Sequence, residues 1–191
     1  MRLLLVTLAV IAAGCQYTNS YMTLVENPPV VVPPEGKASV VFMRPSASMG
    51  GARAAAVFDI TTGQDLIGVF SLKMKVVRMM DPGEHFFMGV ISPGRSIMRA
   101  QLEAGKIYYV KLFGGQVHPL RTDSQEDVIR SYWNSTRFVE RNSASETWLA
   151  DNLDSIVKHR NQAFVNWADL SDDRRAQFDL TGVEGVTVPI R

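Results

Sequence analysis

Gly83, Gly94 and Gly105 stand eleven residues apart, and Gly114 follows nine residues later. The first three close the turn signals Asp81-Pro82-Gly83, Ser92-Pro93-Gly94 and Glu103-Ala104-Gly105, and Thr61-Thr62-Gly63-Gln64 supplies an earlier one. Proline presets φ at a turn and glycine tolerates a positive value, so the chain reverses at such points. Between the turns lie short runs rich in β-branched and aromatic residues, predicting strands over 39–44, 54–60, 65–70, 74–80, 85–91, 96–102 and 107–113. Reversals about every 8–12 residues restrict such a chain to antiparallel hairpins built into a sandwich or barrel. Runs such as Val40-Val41-Phe42-Met43 are apolar on both faces, which suits central strands covered on their outer side as well.

Beyond His118-Pro119 the apolar period lengthens. Asp123 or Ser124 is expected to cap a helix with Val128, Ile129, Tyr132 and Trp133 on one face, ending near Asn134-Ser135. Residues 137–141 read as extended. Ser143-Ala144-Ser145-Glu146 has the form of a capping box, the Ser143 hydroxyl accepting the Glu146 N–H while the carboxylate reaches back. The helix that follows puts Leu149, Leu153, Ile156, Ala163 and Trp167 on one stripe, interrupted by Arg160. Ser171-Asp172-Asp173 reads as the cap of a short last helix before a tail over 182–191. The expected fold class is mainly β with a C-terminal α segment (α+β). It is an antiparallel β-sandwich of about seven strands, with helices packed on one face or end.

The N-terminus has a different character. Met1-Arg2 precedes eleven uncharged, mostly apolar residues, 3–13, and then Gly14-Cys15. One basic residue, a short apolar run and small residues before a cut describe a secretory signal, and the run is far below the roughly 20 residues of a bilayer span. Ala12-Ala13-Gly14-Cys15 resembles the lipobox of bacterial lipoproteins, although Ala12 stands where leucine is more usual. The resemblance implies that Cys15 becomes the first residue and carries a diacylglycerol and an N-acyl chain, with no other cofactor. Plain secretion after Gly14 is the rival, but it leaves a lone thiol at the end of an exported chain. Three acyl chains exceed the two that suffice for stable anchoring. Gln16 after the cysteine resembles the outer-membrane sorting pattern. The expected location is therefore the periplasmic side of a bacterial outer membrane, with the inner membrane as the alternative.

The expected organisation is a signal peptide over 1–14, the acylated Cys15 with a proline-rich tether over 15–37, a β-sandwich over 38–118 and a helical segment over 119–191 packed on it. Asn27-Pro28-Pro29 and Pro33-Pro34 favour polyproline II, at about 3.1 Å per residue, so the tether would hold the domain tens of ångströms from the bilayer. Val30-Val31-Val32 offers the other possibility, an added edge strand. Cleavage removes Arg2 from 20 Lys+Arg, leaving a balance with the 19 Asp+Glu. A neutral chain gives no footprint for nucleic acid and no polybasic patch for anionic lipid. The expected partners are the bilayer, through Cys15, and another envelope protein or cell-wall component.

The β half resembles a family of bacterial lipoprotein domains known as domain of unknown function 2846. The likeness rests on Ala38-Ser39-Val40-Val41-Phe42-Met43-Arg44-Pro45, on Ile67-Gly68, on Pro82-Gly83-Glu84-His85 and on Ala104-Gly105-Lys106-Ile107-Tyr108-Tyr109-Val110. It covers about residues 37–113 and implies a small β-sandwich on an exported protein, with no activity to carry over. Residues 119–191 lie outside it.

The sequence offers little chemistry. It contains no Gly-x-Ser-x-Gly elbow, His-Glu-x-x-His, phosphate loop or dinucleotide fingerprint. Met49-Gly50-Gly51 lacks the lysine of a phosphate cradle and reads as a loop. Asp81, Glu84 and His85 are three possible metal ligands in five residues, yet Asp-Pro-Gly is ordinary turn chemistry. Met43, Met49, Met74, Met79, Met80, Met88 and Met98 would suit Cu(I), and equally suit gaps in an apolar core. Arg44, Arg95 and Arg99 read as a solvated face more readily than as an anion site. Trp148, Leu149, Leu153, Ile156 and Trp167 would dock either on a partner or on the chain's own sandwich, and the two-faced strands favour the latter. These features lead to a noncatalytic envelope module. The alternative is an enzyme or a small-ligand, glycan or peptide binder with a site between sandwich and helices, drawing on Asp59, His85, His118 or His159.

Overall fold

A computed structural model describes residues 19–46, 53–91 and 94–190. Cys15, Met49-Gly50-Gly51 and Ser92-Pro93 lie outside the described residues. In chain order the strands are β1 (Met22–Leu24), β2 (Ala38–Arg44), β3 (Ala55–Asp59), β4 (Asp65–Phe70), β5 (Met74–Met80), β6 (Gly83–Ile91), β7 (Gly94–Leu102), β8 (Ile107–Phe113), β9 (Gln116–Leu120), β10 (Arg137–Arg141) and β11 (Asp179–Leu180). The helices are α1 (Glu126–Ser135), α2 (Ser143–Asp151), α3 (Leu153–Ala168) and α4 (Asp172–Ala176), and Gly182–Glu184 forms a 3-10 turn.

The strands form two sheets, ordered β1-β10-β5-β2-β8-β9 and β11-β7-β6-β3-β4. The seven strands expected between 39 and 113 are all present. The sheets are mixed rather than antiparallel, because β2–β8, β10–β5 and β11–β7 run parallel. The parallel centre has a simple cause. The chain leaves β2, builds most of the second sheet and returns as β8, and such an excursion can bring a strand back in its original direction. β9 lies beyond the strands expected up to residue 113, and it contains Pro119. As an edge strand it tolerates the missing donor, and Gly114-Gly115, both at positive φ, make the hairpin into it.

Side-chain alternation creates four layers. Val40 and Phe42 of β2, with Tyr108 and Val110 of β8, face Val57, Phe87 and Met98 of the other sheet. The Phe42 and Phe87 rings meet edge to face at 5.1 Å across that core. Val41, Met43 and Tyr109 point the other way and are covered by Ile129, Tyr132 and Trp133 of α1. Phe58, Leu66, Met88 and Ile97 on the outer side of the five-stranded sheet are covered by Trp148, Leu149, Ile156, Ala163, Phe164 and Trp167. Helices therefore cover both outer faces and not one, as strands apolar on two sides require. Met43, Met88 and Met98 are fully buried in these layers, as gap-filling core residues.

Local chemistry moves three helix starts. Asn142 caps α2, its side-chain oxygen accepting the N–H of Ala144 and Ser145 at 3.1 and 3.3 Å, so Ser143 is already helical and the expected capping box does not form. Glu146 lies 3.5 Å from Arg141 instead. The long amphipathic helix is broken at Asn152, whose side chain donates to the Trp148 carbonyl at 2.8 Å. This leaves Leu153 exposed while Ile156 and Ala163 stay buried. α1 begins after Gln125, whose side chain accepts the Arg121 N–H at 2.8 Å, and the Ser124 hydroxyl donates to Asp123 instead of capping.

The segment read as a tether belongs to the folded body from its first described residues. β1 pairs with β10, and Met22 is 6% exposed among side chains of the central core. Farther on, Val31 is 2% exposed on the outer face of the six-stranded sheet, while Val30 and Val32 stay exposed. Val30-Val31-Val32 thus forms no strand and contributes one buried side chain. Proline stiffness here serves to lay the chain across a surface rather than to extend it into solvent. Met22→Ala is expected to cost about 2–5 kcal/mol in urea unfolding. An unchanged midpoint and slope would mean that the segment is free.

Candidate functional site

The one Asp–His pair formed by the residues singled out from the sequence is Asp59–His85, at one end of the sandwich. β3 ends in Asp59, and β6 brings in His85 two residues before Phe87, on whose ring the imidazole stacks at 6.0 Å. His85 Nδ1 donates to Asp59 at 2.8 Å, and the same carboxylate accepts the Thr61 N–H at 2.9 Å and the Thr61 hydroxyl. His85 Nε2 lies 3.0 Å from the Asp81 carbonyl. Both ring nitrogens face acceptors, so the arrangement suits an imidazolium that donates twice. Burial pushes the His85 pKa down, but the bond and charge of Asp59 outweigh it and the net shift is upward. Burial likewise raises Asp59, and its bonds from His85 and Thr61 bring it below the ordinary carboxylate value.

This pair is spent on structure. A general acid or base needs a ring nitrogen within reach of substrate, and here one is held by a carboxylate and the other by a backbone carbonyl. Its effect is to tie the β5–β6 hairpin to the end of β3. The possible metal ligands around it diverge: Asp81 binds the Lys37 ammonium at 2.6 Å, Glu84 sits 4.0 Å from Arg99, and His85 turns to Asp59. Among the described residues no three His, Cys, Asp or Glu side chains converge as a metal site would require.

The other two histidines lie elsewhere. His118 on β9 tilts against the Phe178 ring at 5.3 Å, its pKa lowered by burial and by Lys111. His159 on α3 accepts from the Arg95 guanidinium at 2.9 Å, and burial, Arg95 and Lys158 lower its pKa. Asp59, His85, His118 and His159 therefore make no common site between sandwich and helices. That interface is filled: Phe86 meets Phe164 at 5.5 Å and Trp167 at 6.4 Å, and Phe58 stacks on Trp148 at 6.4 Å. The three arginines read as a solvated face also differ from one another. Arg44 is buried and donates to the carbonyls of Phe70 and Arg53, whereas Arg99 makes a two-point ion pair with Asp179.

Two further features were not anticipated. Lys75 is buried on the outer face of β5. Its ammonium donates to the Trp133 carbonyl at 2.6 Å and lies 4.2 Å from the Trp133 ring centre and 4.4 Å from that of Phe138, and burial lowers its pKa to about 8. A lysine at an apolar register position of a strand was the available signal. The tail is the second. Val186 pairs backbone with Ile107, the Ile190 N–H donates to the Tyr109 hydroxyl at 2.7 Å, and Arg121 bonds Glu184. Between tail and α1 lies a cavity of about 460 Å³, lined by Thr122, Glu126, Arg130, Val186, Val188 and Ile190 among others. No family model matches the chain, and neither a curated protein nor a solved structure matches it.

The histidine shifts give a signed prediction. A raised folded pKa means that the His85 contribution is full below its unfolded value near 6.5 and is lost as pH rises through the folded value. His85→Gln is expected to destabilise most in acid, with the gap to the wild type closing as pH rises through the raised folded value. In an NMR titration His85 is expected to have the highest pKa of the three histidines, and an order with His118 or His159 above it would contradict the geometry.

Proposed function

We propose that this chain is a cell-envelope lipoprotein anchored by acylated Cys15 on the periplasmic side of the outer membrane. Its folded body acts as a noncatalytic interaction or structural module toward another envelope protein or cell-wall component. The observation that carries the reading is the fate of the reactive side chains: Asp59, His85, Asp81 and Lys75 are each tied to partners inside the chain. A second observation changes the role of the linker. Four residue steps separate Cys15 from Asn19, and at about 3.6 Å each they span no more than about 14 Å. The module would sit at the bilayer surface, and reach is not its purpose.

Replacing Cys15 with serine is expected to shift the protein from the membrane to the soluble periplasmic fraction, and the wild type's mature N-terminus to carry an acyl mass. A membrane fraction that the substitution leaves unchanged would defeat the anchor. In vivo crosslinking of the anchored protein is expected to trap a reproducible envelope partner, and His85→Gln to leave that product intact. Failure to recover any such partner counts against the module.

The cavity beside the tail supports a second reading, a small-ligand, glycan or peptide binder. Its volume lies within the roughly 300–1,000 Å³ of ligand pockets, and it combines the polar groups of Thr122, Glu126 and Arg130 with apolar valines.

A further inference from the structure

Where α3 crosses β7, two buried hydrogen-bond donors have no acceptor, the Nε–H groups of Arg95 and Arg160. Buried donors are nearly always matched by protein, water or a bound ion, so an unmatched pair calls for a cause. The fold places both side chains there. Arg95 stands opposite Val90 of β6 and two residues before Ile97, on the sheet face that the helices cover. Arg160 stands one turn after Ile156 and one turn before Phe164, on the stripe of α3 that packs against that face. His159, its neighbour in the helix, accepts from Arg95 Nη1 at 2.9 Å and so joins the two arginines.

A guanidinium has two donor edges, Nη1 with Nη2 and Nη2 with Nε, and each fits two oxygens of one carboxylate or phosphate. Arg95 spends Nη1 on His159 and leaves its Nη2–Nε edge unused. Arg160 has no hydrogen-bond partner among the described residues; its guanidinium carbon lies 5.8 Å from the Phe164 ring centre. Lys158 adds a third cation at the adjoining helix position.

No carboxylate answers these groups. Glu84 and Asp179 are drawn to Arg99, four residues farther along β7. Asp151 and Asp154, toward the start of α3, make no ion pair with Arg95, Lys158 or Arg160 among the described residues. Burial, Arg95 and Lys158 all lower the His159 pKa, so at neutral pH the ring is uncharged and carries its proton on Nε2.

We propose that Arg95 and Arg160, with Lys158 beside them, bind the phosphate group of a phosphomonoester. A tetrahedral oxyanion offers oxygens to two guanidinium edges at once, which one carboxylate does not. Its charge of about −1.5 to −2 at neutral pH is met by the three cations. The site stands apart from the Asp59–His85 pair and from the cavity beside the tail, and it does not depend on acylation at Cys15. The phosphate arrives either on a soluble molecule or on a lipid headgroup, and the recognising chemistry is the same.

The test is an NMR titration of the full chain with inorganic phosphate at constant ionic strength, read on the arginine Nε–H signals. Those of Arg95 and Arg160 are expected to move together and saturate at one midpoint, and the His159 pKa to rise in saturating phosphate. Arg160→Gln and the charge-keeping Arg160→Lys are each expected to raise the midpoint about tenfold, the loss of one charge-assisted hydrogen bond. Arg174→Gln removes an exposed arginine of α4 and is expected to leave it unchanged. Should Arg160→Gln fail to fold, Arg160→Lys and the wild-type titration decide. Drift without saturation, or equal movement of the Arg174 signal, means an adventitious ion only and overturns the inference. Phosphatidylcholine vesicles containing phosphatidic acid then separate the sources. Displacement of the bound phosphate assigns the site to a headgroup, and retention assigns it to a soluble phosphomonoester.

Discussion

The structure depends on the burial of β2 and β8 on both faces. Val40, Phe42, Tyr108 and Val110 occupy the space between the sheets, and Val41, Met43 and Tyr109 on the reverse side are equally shielded from water. A parallel pair with two apolar faces cannot be left half-solvated, because each large apolar side chain exposed would forfeit about 1.5–3 kcal/mol. Everything peripheral follows as cover. α1, Val31 and Ile190 close the outer face of the six-stranded sheet, and α2–α3 close that of the five-stranded one. The N-terminal segment and the tail, at opposite ends of the sequence, are recruited to the same task.

This demand for cover also explains how the polar groups are used. Lys75 stands at an outward register position that α1 seals, so its ammonium is held by the Trp133 carbonyl and two aromatic rings rather than by water. Arg44, at the end of β2, spends its guanidinium on the carbonyls of Phe70 and Arg53. Asp59 and His85 close the far end in the same way. A buried polar group left without a partner costs about 1–3 kcal/mol, and each of these groups is matched. Side chains with the chemistry of a catalytic site have been used to hold strand ends, which is why the proposed function is one of contact and placement.

Much of the fold was legible in the sequence. Strands from β2 to β8 could be read because glycine turns punctuate them, and the need for outer cover could be read from Val40-Val41-Phe42-Met43. The errors lie where long-range pairing overrides local pattern. Three-residue β1 and two-residue β11 exist only because β10 and β7 offer them edges, and nothing local marks them. The prolines of 28–34 signal stiffness but not the surface against which it is laid. Asn142 prevailed over Ser143 as a cap because one position decides which side chain meets the free N–H groups. Of the candidate site, only Asp59–His85 came together, from residues 26 apart in sequence that the spacing did not connect.

One claim is central: the segment from Asn19 onward is part of the folded body, with β1 paired to β10. Amide hydrogen exchange on the full chain tests it most directly at Val25, whose N–H donates to the Phe138 carbonyl at 3.0 Å. Protection of Val25 well above the free-peptide rate, together with β10, is the predicted result. Exchange at the rate of an unstructured peptide, with β2 and β8 still protected, would contradict it and restore a free tether.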